Sequence, residues 1–428
     1  MKPTNKPSQP KLNAQLQVEA AQKRMQALRQ QGRFQEALDI CLEVARAHPG
    51  IGDVWTDAAA NCVWLRRWPD AIRYGQTALA RGSTALGLYD ALAHAHGALG
   101  QADEARRYGL QALDMRERQF GGAPVVPPPD PGALPSPPSA RTRQRNIIAF
   151  SLFGGDSKYC EPAVLNVQEQ PRIYPHWVCR FYVDDSVPEH VMARLRAGGA
   201  QIVRVEGAAA QWPGPMWRFL ALDDPQAQRI LFRDADSVIS RREAAAVAQW
   251  LSSGKRFHMM RDYGSNTELI LAGQWGMVAG SLPPLNALMA RFMSAPLASR
   301  HFADQYFLRQ YVWPYARASL MQHDSVFGFR DAAPFPEVKN PDGFGVGHAE
   351  GGASFTQKTD LPDGSAVRWA LYRSPKPDGS PPTEELICAY PGTVKEGAVS
   401  AHIPTRYARQ IEQGAVHIRL TKSSAAPN

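Results

Sequence analysis

A period of 34 residues in the first quarter of this 428-residue chain is the feature that most constrains its fold. The segments GRFQEAL, RRWPDAI and GQADEAR each lie between two amphipathic helical stretches. Three positions of the repeat align across the three segments. The first position holds Gly32, Arg66 and Gly100, the second Phe34, Trp68 and Ala102, and the third Ala37, Ala71 and Ala105. Because a helix pair buries its apolar face only against the next pair, three repeats over roughly 16–115 predict a small helical solenoid.

This pattern resembles the tetratricopeptide repeat family, which has the same period and a small residue where its helices pack closely. His48-Pro49 ends the first unit, where that family often ends a helix in proline. The resemblance implies a concave groove. Two interpretations stay open, a binding site for a peptide or protein partner and a scaffold for packing or dimerisation.

Residues 121–139 read GGAPVVPPPDPGALPSPPS, and repeated proline excludes a helix or central strand and favours an extended spacer. We therefore expect a disordered leader at 1–13, helical repeats at 14–118 and a Pro-rich linker at 119–145. A catalytic α/β domain is expected at 146–335. A β-rich appendage with a polar tail is expected at 336–428.

From Asn146 the chain alternates between apolar runs and helical stretches. Strands are predicted at 147–153, 178–183, 201–205 and 229–232, with helices at 187–197 and 242–252. Such alternation predicts a mainly parallel sheet with helices on both faces. Sheets of this class bind ligands beyond the carboxyl ends of their strands.

The fourth predicted strand runs directly into Asp234-Ala235-Asp236-Ser237. Two carboxylates at the open edge of a sheet can hold a divalent cation against a phosphate. The sequence therefore indicates phosphate chemistry at this edge.

A strand ending in Asp-x-Asp inside an α/β domain resembles the metal-binding motif of nucleotide-sugar-dependent glycosyltransferases of the GT-A fold. The resemblance implies a UDP- or GDP-sugar donor and a Mn²⁺ or Mg²⁺ ion that neutralises the departing diphosphate. It implies that Asp236 binds the metal directly and that Asp234 contacts the ribose or, through water, the metal. Such enzymes commonly draw a further ligand from downstream. His323 and His348 both qualify, and His323 is preferred because it follows the core directly.

Other elements are expected around the nucleotide sugar. The first strand leads into Phe153, Gly154, Lys158 and Tyr159, where such enzymes begin the nucleotide pocket. Trp217-Arg218 is a basic-aromatic element suited to stacking a base or pairing a phosphate. Gly273 allows close backbone approach, and Trp275 offers an aromatic platform for a sugar.

Two carboxylates are candidates for catalysis. If the reaction inverts the anomeric centre, a carboxylate must accept the acceptor's proton. Asp304, which with Gln305 resembles the Asp-Gln pair near the acceptor of several glycosyltransferase families, is one candidate. Asp262, at the end of a predicted fifth strand at 257–262, is the other. Each is equally consistent with a helix cap or an ion pair.

Two alternatives belong to other classes. Asp234-Ala235-Asp236-Ser237-Val238 also fits the nucleophile motif of haloacid-dehalogenase-like phosphatases, in which Asp234 would attack phosphorus. That motif normally ends the first strand of its domain, whereas three predicted strands precede it here. The second alternative is a non-enzymatic repeat scaffold whose α/β domain only binds a nucleotide or a partner.

The amino-acid composition bears on the ligand, the cellular compartment and the presence of a transmembrane segment. Forty-eight basic against 40 acidic residues give a net charge of +8, which suits an anionic ligand but does not indicate nucleic acid. The 5 cysteines are scattered and lack a CxxC pair, so a reducing compartment is expected. No run of 18 apolar residues and no apolar leader occurs, so we expect a cytoplasmic protein without a transmembrane segment. The expected acceptor is a protein, a peptide or a surface glycan.

Overall fold

The computed structural model describes residues 9–130, 132–297, 299–339, 343–374 and 385–422, with side chains from residue 18 onward. The chain divides into two compact units. The first comprises Met1–Ala123, Arg261–Leu271 and Gln322–Phe335 as far as they are described. The second comprises Pro124–Met260, Ala272–Met321 and Pro336–Asn428 within the same limits.

The first unit begins with six helices, α1 Gln9–Gln30, α2 Phe34–Ala47, α3 Gly52–Trp64, α4 Trp68–Ala80, α5 Leu86–Ala98 and α6 Ala102–Phe120. Each packs against the next, which confirms the predicted helical repeats. The expected leader differs in extent, because residues 9–13 are already helical and Pro10 is tolerated in the first turn. Residues 1–8 lie outside the described chain.

The aligned repeat positions share one structural role each. Ala37, Ala71 and Ala105 are buried in the interface between helices, so a larger side chain would separate them. The positions two residues before α2, α4 and α6 all have left-handed backbone, with φ of 72°, 55° and 72° at Gly32, Arg66 and Gly100. The sequence period therefore reflects both packing and a repeated turn.

The first unit also contains two segments from far downstream. A Cβ atom on Gly97 of α5 would lie 3.0 Å from the Cα atom of Gly264, and one on Gly109 of α6 would lie 2.1 Å from the ring of Phe327. Arg116 of α6 is buried and pairs with Asp90 at 2.8 Å and with Glu268 at 3.2 Å. The last repeat is thus packed against residues of the 261–271 and 322–335 segments.

The main sheet has seven strands in the order β3-β2-β1-β4-β6-β5-β7. Strand β1 is parallel to β2 and β4, β2 is parallel to β3, and β6 is antiparallel to β4 and β5. The strands are β1 Asn146–Leu152, β2 Val178–Val183, β3 Gln201–Arg204, β4 Arg229–Arg233, β5 Phe257–Arg261, β6 Gln274–Val278 and β7 Leu320–Asp324. The predicted fold class, helical repeats followed by a mainly parallel α/β sheet, is confirmed.

Six helices accompany these strands, α7 Ser157–Ile173, α8 Glu189–Ala197, α9 Arg241–Ser252, α10 Leu285–Phe292, α11 Ala303–Phe307 and α12 Trp313–Ala316. A π-helical turn, Leu308–Val312, joins the last two. A 3₁₀ segment, Gly214–Asp223, precedes β4 and carries the predicted basic-aromatic element.

The C-terminal region forms a three-stranded sheet, β10-β9-β12, and a two-stranded pair, β11-β8. The elements are β8 Ala353–Lys358, β9 Ala366–Arg373, β10 Glu385–Thr393, β11 Ala398–Ile403, α13 Thr405–Glu412 and β12 Val416–Lys422. The expected β-rich character is observed. The region is more than an appendage, because Trp369 and Tyr390 belong to the same buried core as Phe150 and Phe181 of the main sheet.

The Pro-rich segment is held along the second unit. Arg229 donates to the carbonyls of Pro135 and Ser136 at 2.6 and 2.7 Å, and the Tyr315 hydroxyl donates to the carbonyl of Val126 at 2.7 Å. Proline lacks an N–H but keeps its carbonyl as an acceptor, so arginine and tyrosine donors can fix such a segment. The extended segment is thus anchored through its carbonyls.

All five cysteine thiols are buried and unpaired. None of the helices in the described part of the chain combines the length and apolar character needed to cross a bilayer.

Candidate active site

The Asp-x-Asp motif lies at the carboxyl end of β4, a fully buried strand. The Ser237 N–H donates to the Asp234 carbonyl at 3.2 Å, which closes a turn between the two carboxylates. Ser237 also bridges to Ala349, and the Glu350 N–H donates to the Asp236 carbonyl at 2.8 Å. The backbone of the motif is therefore fixed from both sides while its side chains project beyond the sheet.

Arg218 joins two carboxylates that are distant in sequence. Its Nη1 atom donates to Asp234 Oδ1 at 2.5 Å and to the Arg233 carbonyl at 2.9 Å. Its Nη2 atom donates to Asp304 Oδ2 at 2.7 Å. The Arg218 side chain is only 3% exposed and that of Asp304 8%, whereas that of Asp234 is 45% exposed. The ligand-accessible carboxylate of the trio is thus Asp234.

The 3₁₀ segment positions Arg218 through the first strand. The Arg218 N–H donates to the Ser151 hydroxyl at 2.9 Å, and that hydroxyl donates to the Pro215 carbonyl at 3.1 Å. Ser151 lies in β1, next to β4. Sequence reasoning missed Ser151. A polar residue within an otherwise apolar strand was the signal available.

Only glycine fits at position 273, because its backbone lies directly against the Asp234 carboxylate. A Cβ atom at this position would lie 1.9 Å from Asp234 Oδ2, so any larger residue would displace the carboxylate. The neighbouring Ala272 N–H donates to Gln305 Oε1 at 3.1 Å, and the Gln305 N–H donates to Asp304 Oδ1 at 2.8 Å. The structure therefore brings together Asp234, Arg218, Gly273 and the Asp304-Gln305 pair, all of which the sequence had selected.

Asp236 differs from Asp234 in having no side-chain hydrogen-bond donor at its carboxylate among the described residues, where only its own backbone N–H donates to it. Burial, reinforced by the negative charge of Asp234, raises the pKa of Asp236 to about 6, although Lys158 and Arg218 oppose the shift. Burial also raises the pKa of Asp304 above its ordinary value, against the effect of Arg218. A partly desolvated carboxylate without a side-chain donor is suited to binding a cation.

Lys158, in the first turn of α7, is the cation that most lowers the pKa of Asp236. Asp156 caps α7 by accepting from the Lys158 N–H at 2.9 Å, and the Gly154 N–H donates to the Ser186 hydroxyl at 2.6 Å. Gly154 has φ of +75°, which permits this turn. The Lys158 ammonium lies 5.2 Å from the ring centroid of Tyr159.

The exposed aromatic rings differ from those expected. Trp217 is 5% exposed, and its indole N–H donates to the Ala209 carbonyl at 3.1 Å. Trp275 is 1% exposed and stacks on Phe232 at 4.2 Å between ring centroids. These two rings are core residues and do not offer a face to a base or a sugar. Phe153 and Tyr159, 42% and 38% exposed, have accessible rings.

The role expected for Arg218 also changes. Asp234, Asp304 and a carbonyl accept from its Nη1 and Nη2 atoms, and its Nε atom is buried without a partner among the described residues, so no exposed edge is offered to a phosphate. The sequence identified the cation but not its partners. Arg218 orients carboxylates, and Lys158 is the accessible cation beside the motif.

The expected third metal ligand is not identified among the described residues. No group of three or more His, Cys, Asp or Glu side chains in the described ranges is arranged to hold a metal ion. His323 belongs to the first unit, and burial lowers its pKa to about 4. His348 lines a cavity whose walls include neither carboxylate of the motif. The predicted set of Asp234, Asp236 and His323 stays a prediction.

Asp262 likewise belongs to the first unit. Its Oδ1 atom accepts from the Ser325 hydroxyl at 2.5 Å, and its N–H donates to Asn266 Oδ1 at 3.1 Å. Its role as a catalytic base stays a prediction.

A tetratricopeptide repeat model matches residues 85–130. This identifies the last helix pair as a repeat of that family and supports the same interpretation of the earlier pairs, which share its period. No curated protein matches the chain.

Parts of the chain are similar to solved structures at low identity. A mutant O-GlcNAc transferase from Thermobaculum terrenum is 15% identical, with 51% of each chain covered and a TM-score of 0.30. Glucosyl-3-phosphoglycerate synthase from Mycobacterium tuberculosis, in complex with Mg²⁺ and UDP, is 14% identical over 47% of this chain and 74% of that chain, with a TM-score of 0.28. The TPR2AB domain of yeast Sti1 in its pHSP90 complex is 18% identical over 26% of this chain and 44% of that chain, with a TM-score of 0.23. Similarities this weak carry no argument about activity.

Proposed function

We propose that this protein is a metal-dependent glycosyltransferase that transfers a sugar from a nucleotide-sugar donor to an acceptor. One observation carries the proposal. At the carboxyl end of the central strand, Asp236 is a carboxylate without a side-chain donor among the described residues, beside the accessible Asp234 that Arg218 links to Asp304. Substrate-binding sites of open α/β sheets lie at this edge.

The residues of the motif fit a divalent cation. A bound cation would relieve the repulsion between Asp236 and Asp234 that contributes to the raised pKa of Asp236. Asp236 would hold the ion directly, and Asp234 directly or through water, with phosphate oxygens and water filling the remaining positions. When bound, Mn²⁺ or Mg²⁺ supplies positive charge to the diphosphate that leaves the sugar.

The remaining residues then have distinct tasks. Lys158 would contact the diphosphate as a point charge, and the accessible rings of Phe153 and Tyr159 would pack against the nucleotide base. Gly273 leaves room for the Asp234 carboxylate. Asp304 shares Arg218 with Asp234, which supports its assignment to the same reaction centre, either as the base or in orienting Arg218.

The acceptor is proposed from the repeats. A repeat groove is suited to an extended segment of a protein or peptide, so we propose a protein, peptide or surface-glycan acceptor and a cytoplasmic location. The phosphatase alternative gains no support, because the strands β1, β2 and β3 precede β4 in the domain, whereas that motif normally ends the first strand.

The substitution Asp236→Asn tests the proposal. It removes the negative charge that would hold the metal, so we expect UDP or GDP release from a panel of sugar nucleotides with Mn²⁺ to fall at least about 100-fold. Nucleotide release is measured in a coupled assay on the full chain.

Asp39→Asn is the matched control, because it makes the same change at an exposed position of α2 and should leave release unchanged. Equal release from the Asp236→Asn variant and the original protein would refute the metal site.

A further inference from the structure

The cavity that His348 lines has a volume of about 260 Å³ and lies in the second unit. Its walls are the last turn of α7, the loop from Val238 to the start of α9, Lys339, residues of the 344–350 segment, and Arg406 of α13. Neither Asp234 nor Asp236 lines it, so it is distinct from the proposed metal site.

Positive charge predominates on the walls. The cationic side chains are Arg172, Arg241, Lys339 and Arg406, against only two acidic ones, Glu169 and Glu350. Both acids are already engaged: Arg172 pairs with Glu169, and Arg406 pairs with Glu350 at 2.9 Å and with Glu169 at 3.5 Å. Arg241 and Lys339 have no acidic partner in the described part of the chain.

Two further features favour an anion. The 12-residue helix α9 begins at the cavity wall, and the start of a helix carries partial positive charge. The Nε2 atom of His348 is buried and has no hydrogen-bond partner among the described residues. A buried polar atom without a partner is unfavourable, and a ligand oxygen in the cavity would satisfy it.

We propose that this cavity binds a small phosphate-bearing anion, with Arg241 and Lys339 as its charge partners and His348 as a hydrogen-bond donor. The volume accommodates inorganic phosphate or a phosphorylated monosaccharide, and excludes most of a dinucleotide. The chemistry shared by both ligands is a phosphate dianion. The proposal does not depend on the glycosyltransferase assignment.

Calorimetric titration of inorganic phosphate into the full chain, at constant ionic strength and without divalent metal, tests the proposal. We expect saturable binding to one site. The double variant Arg241→Gln/Lys339→Gln should weaken the dissociation constant by roughly tenfold or more, because charge-assisted hydrogen bonds to phosphate are lost.

The double variant Lys358→Gln/Lys422→Gln is the matched control. It removes the same charge from positions that do not line the cavity and should bind phosphate normally. The Asp236→Asn variant should also bind normally, which separates failure of this proposal from failure of the proposed function. Non-saturable heat, or equal weakening in both double variants, would overturn the cavity assignment.

Two measurements make the test specific. The ring nitrogen resonances of His348 should shift on phosphate addition in a two-bond ¹H–¹⁵N spectrum, and an unmoved resonance would contradict its role.

Parallel titrations with glucose 6-phosphate and glucose distinguish the ligand's source. Tighter binding of the sugar phosphate than of phosphate indicates a phosphorylated sugar, the reverse order indicates free phosphate, and equal binding of glucose would overturn the anion assignment.

Discussion

Arg218 shows how a single buried charge can organise a site. A guanidinium at 3% exposure is costly unless most of its donors are paired, and here two carboxylates and a carbonyl accept from it, with only the buried Nε atom lacking a partner among the described residues. Its planar fork reaches Asp234 and Asp304 at once, which the point charge of a lysine does not do. The geometry of the proposed reaction centre therefore depends on this residue even if it never touches a substrate.

Replacing Arg218 with glutamine should destabilise the protein strongly. The change leaves Asp304 buried without its cation, and breaking a buried ion pair from one side costs about 3–5 kcal/mol. The free energy of unfolding is measured by urea titration monitored by circular dichroism.

The double variant Arg218→Gln/Asp304→Asn should recover part of that loss, because it removes the uncompensated carboxylate as well. If the loss in the double variant equals the sum of the losses in the Arg218→Gln and Asp304→Asn single variants, the two residues are not coupled.

Metal binding should depend on pH through Asp236. Its pKa is raised to about 6 from the ordinary 3.8, so between these values the folded protein holds a proton that the unfolded chain has released. The stabilisation that comes from protonated Asp236 in the folded protein is therefore complete below the ordinary pKa of 3.8. It is lost as the pH rises through about 6. Since a cation requires the ionised form, the Mn²⁺ affinity should fall about tenfold per pH unit below 6 and level off above about 7.

Calorimetric Mn²⁺ titrations between about pH 5 and pH 8 measure this dependence. The Asp236→Asn variant should show only weak binding at every pH. A flat profile for the original protein would mean that another group controls the metal site.

Among the elements of the first unit, one repeat turn holds a residue that does not favour the backbone conformation of that turn. The three equivalent turns before α2, α4 and α6 need left-handed backbone, and two of them use glycine. The middle turn uses Arg66 at φ of 55°. A residue with a Cβ atom is strained in this region, whereas glycine adopts it freely.

The substitution Arg66→Gly should stabilise the protein by about 0.5–1 kcal/mol, the relief of strain less the greater flexibility of glycine in the unfolded chain. Arg81→Gly is the matched control, because Arg81 has φ of −98° and gains no relief. Thermal unfolding gives both values. A stabilisation of the same size at Arg81 would contradict the interpretation.

The Pro-rich segment illustrates the limit of composition. Its prolines do exclude helix and strand, as predicted, but composition does not say whether an extended chain is free or held. Arginine side chains from the second unit donate to its carbonyls, for example Arg229 to Pro135 and Ser136. Proline content alone therefore overestimates the freedom of such a segment.

At the scale of the whole molecule, the first unit is larger than the repeats. Residues of the 261–271 and 322–335 segments share its core, and Phe327, which is fully buried, lies against Gly109 of α6. Removing the repeat helices would leave Phe327 and the Arg116 partner Glu268 without their contacts. We therefore expect point substitutions to be more informative than truncation.

The substitution Gly109→Ala tests this packing. A Cβ atom would lie 2.1 Å from the Phe327 ring, so we expect a loss of about 1–3 kcal/mol in stability from overpacking. Gly87→Ala is the control, because Gly87 is also helical but has nothing within 4 Å, and alanine there should stabilise by up to about 1 kcal/mol. Urea unfolding measures both, and an unchanged Gly109→Ala variant would show that the helix and the downstream segment do not pack together in solution.

Local patterns in the sequence were enough to predict several features. The 34-residue period reflects one buried face on each repeat helix, and the strands next to the motif appear as apolar runs because they are buried on both faces. Asp234 was selected from its place after such a run, and Arg218, Gly273 and Asp304 from their chemistry and the family resemblance; their assembly in one place is observed. Their chemical roles remain proposals.

Which side chains contact one another could not be predicted and became visible only in the folded chain. Arg218 and Asp304 are separated by 86 residues, and no periodicity encodes their pairing. The same holds for the burial of Trp217 and Trp275, since a ring becomes core or surface according to neighbours from other strands. Local sequence determines whether a segment forms a helix or a strand. The neighbours of each side chain depend on long-range packing, because contact energies come from partners that meet only in the folded chain.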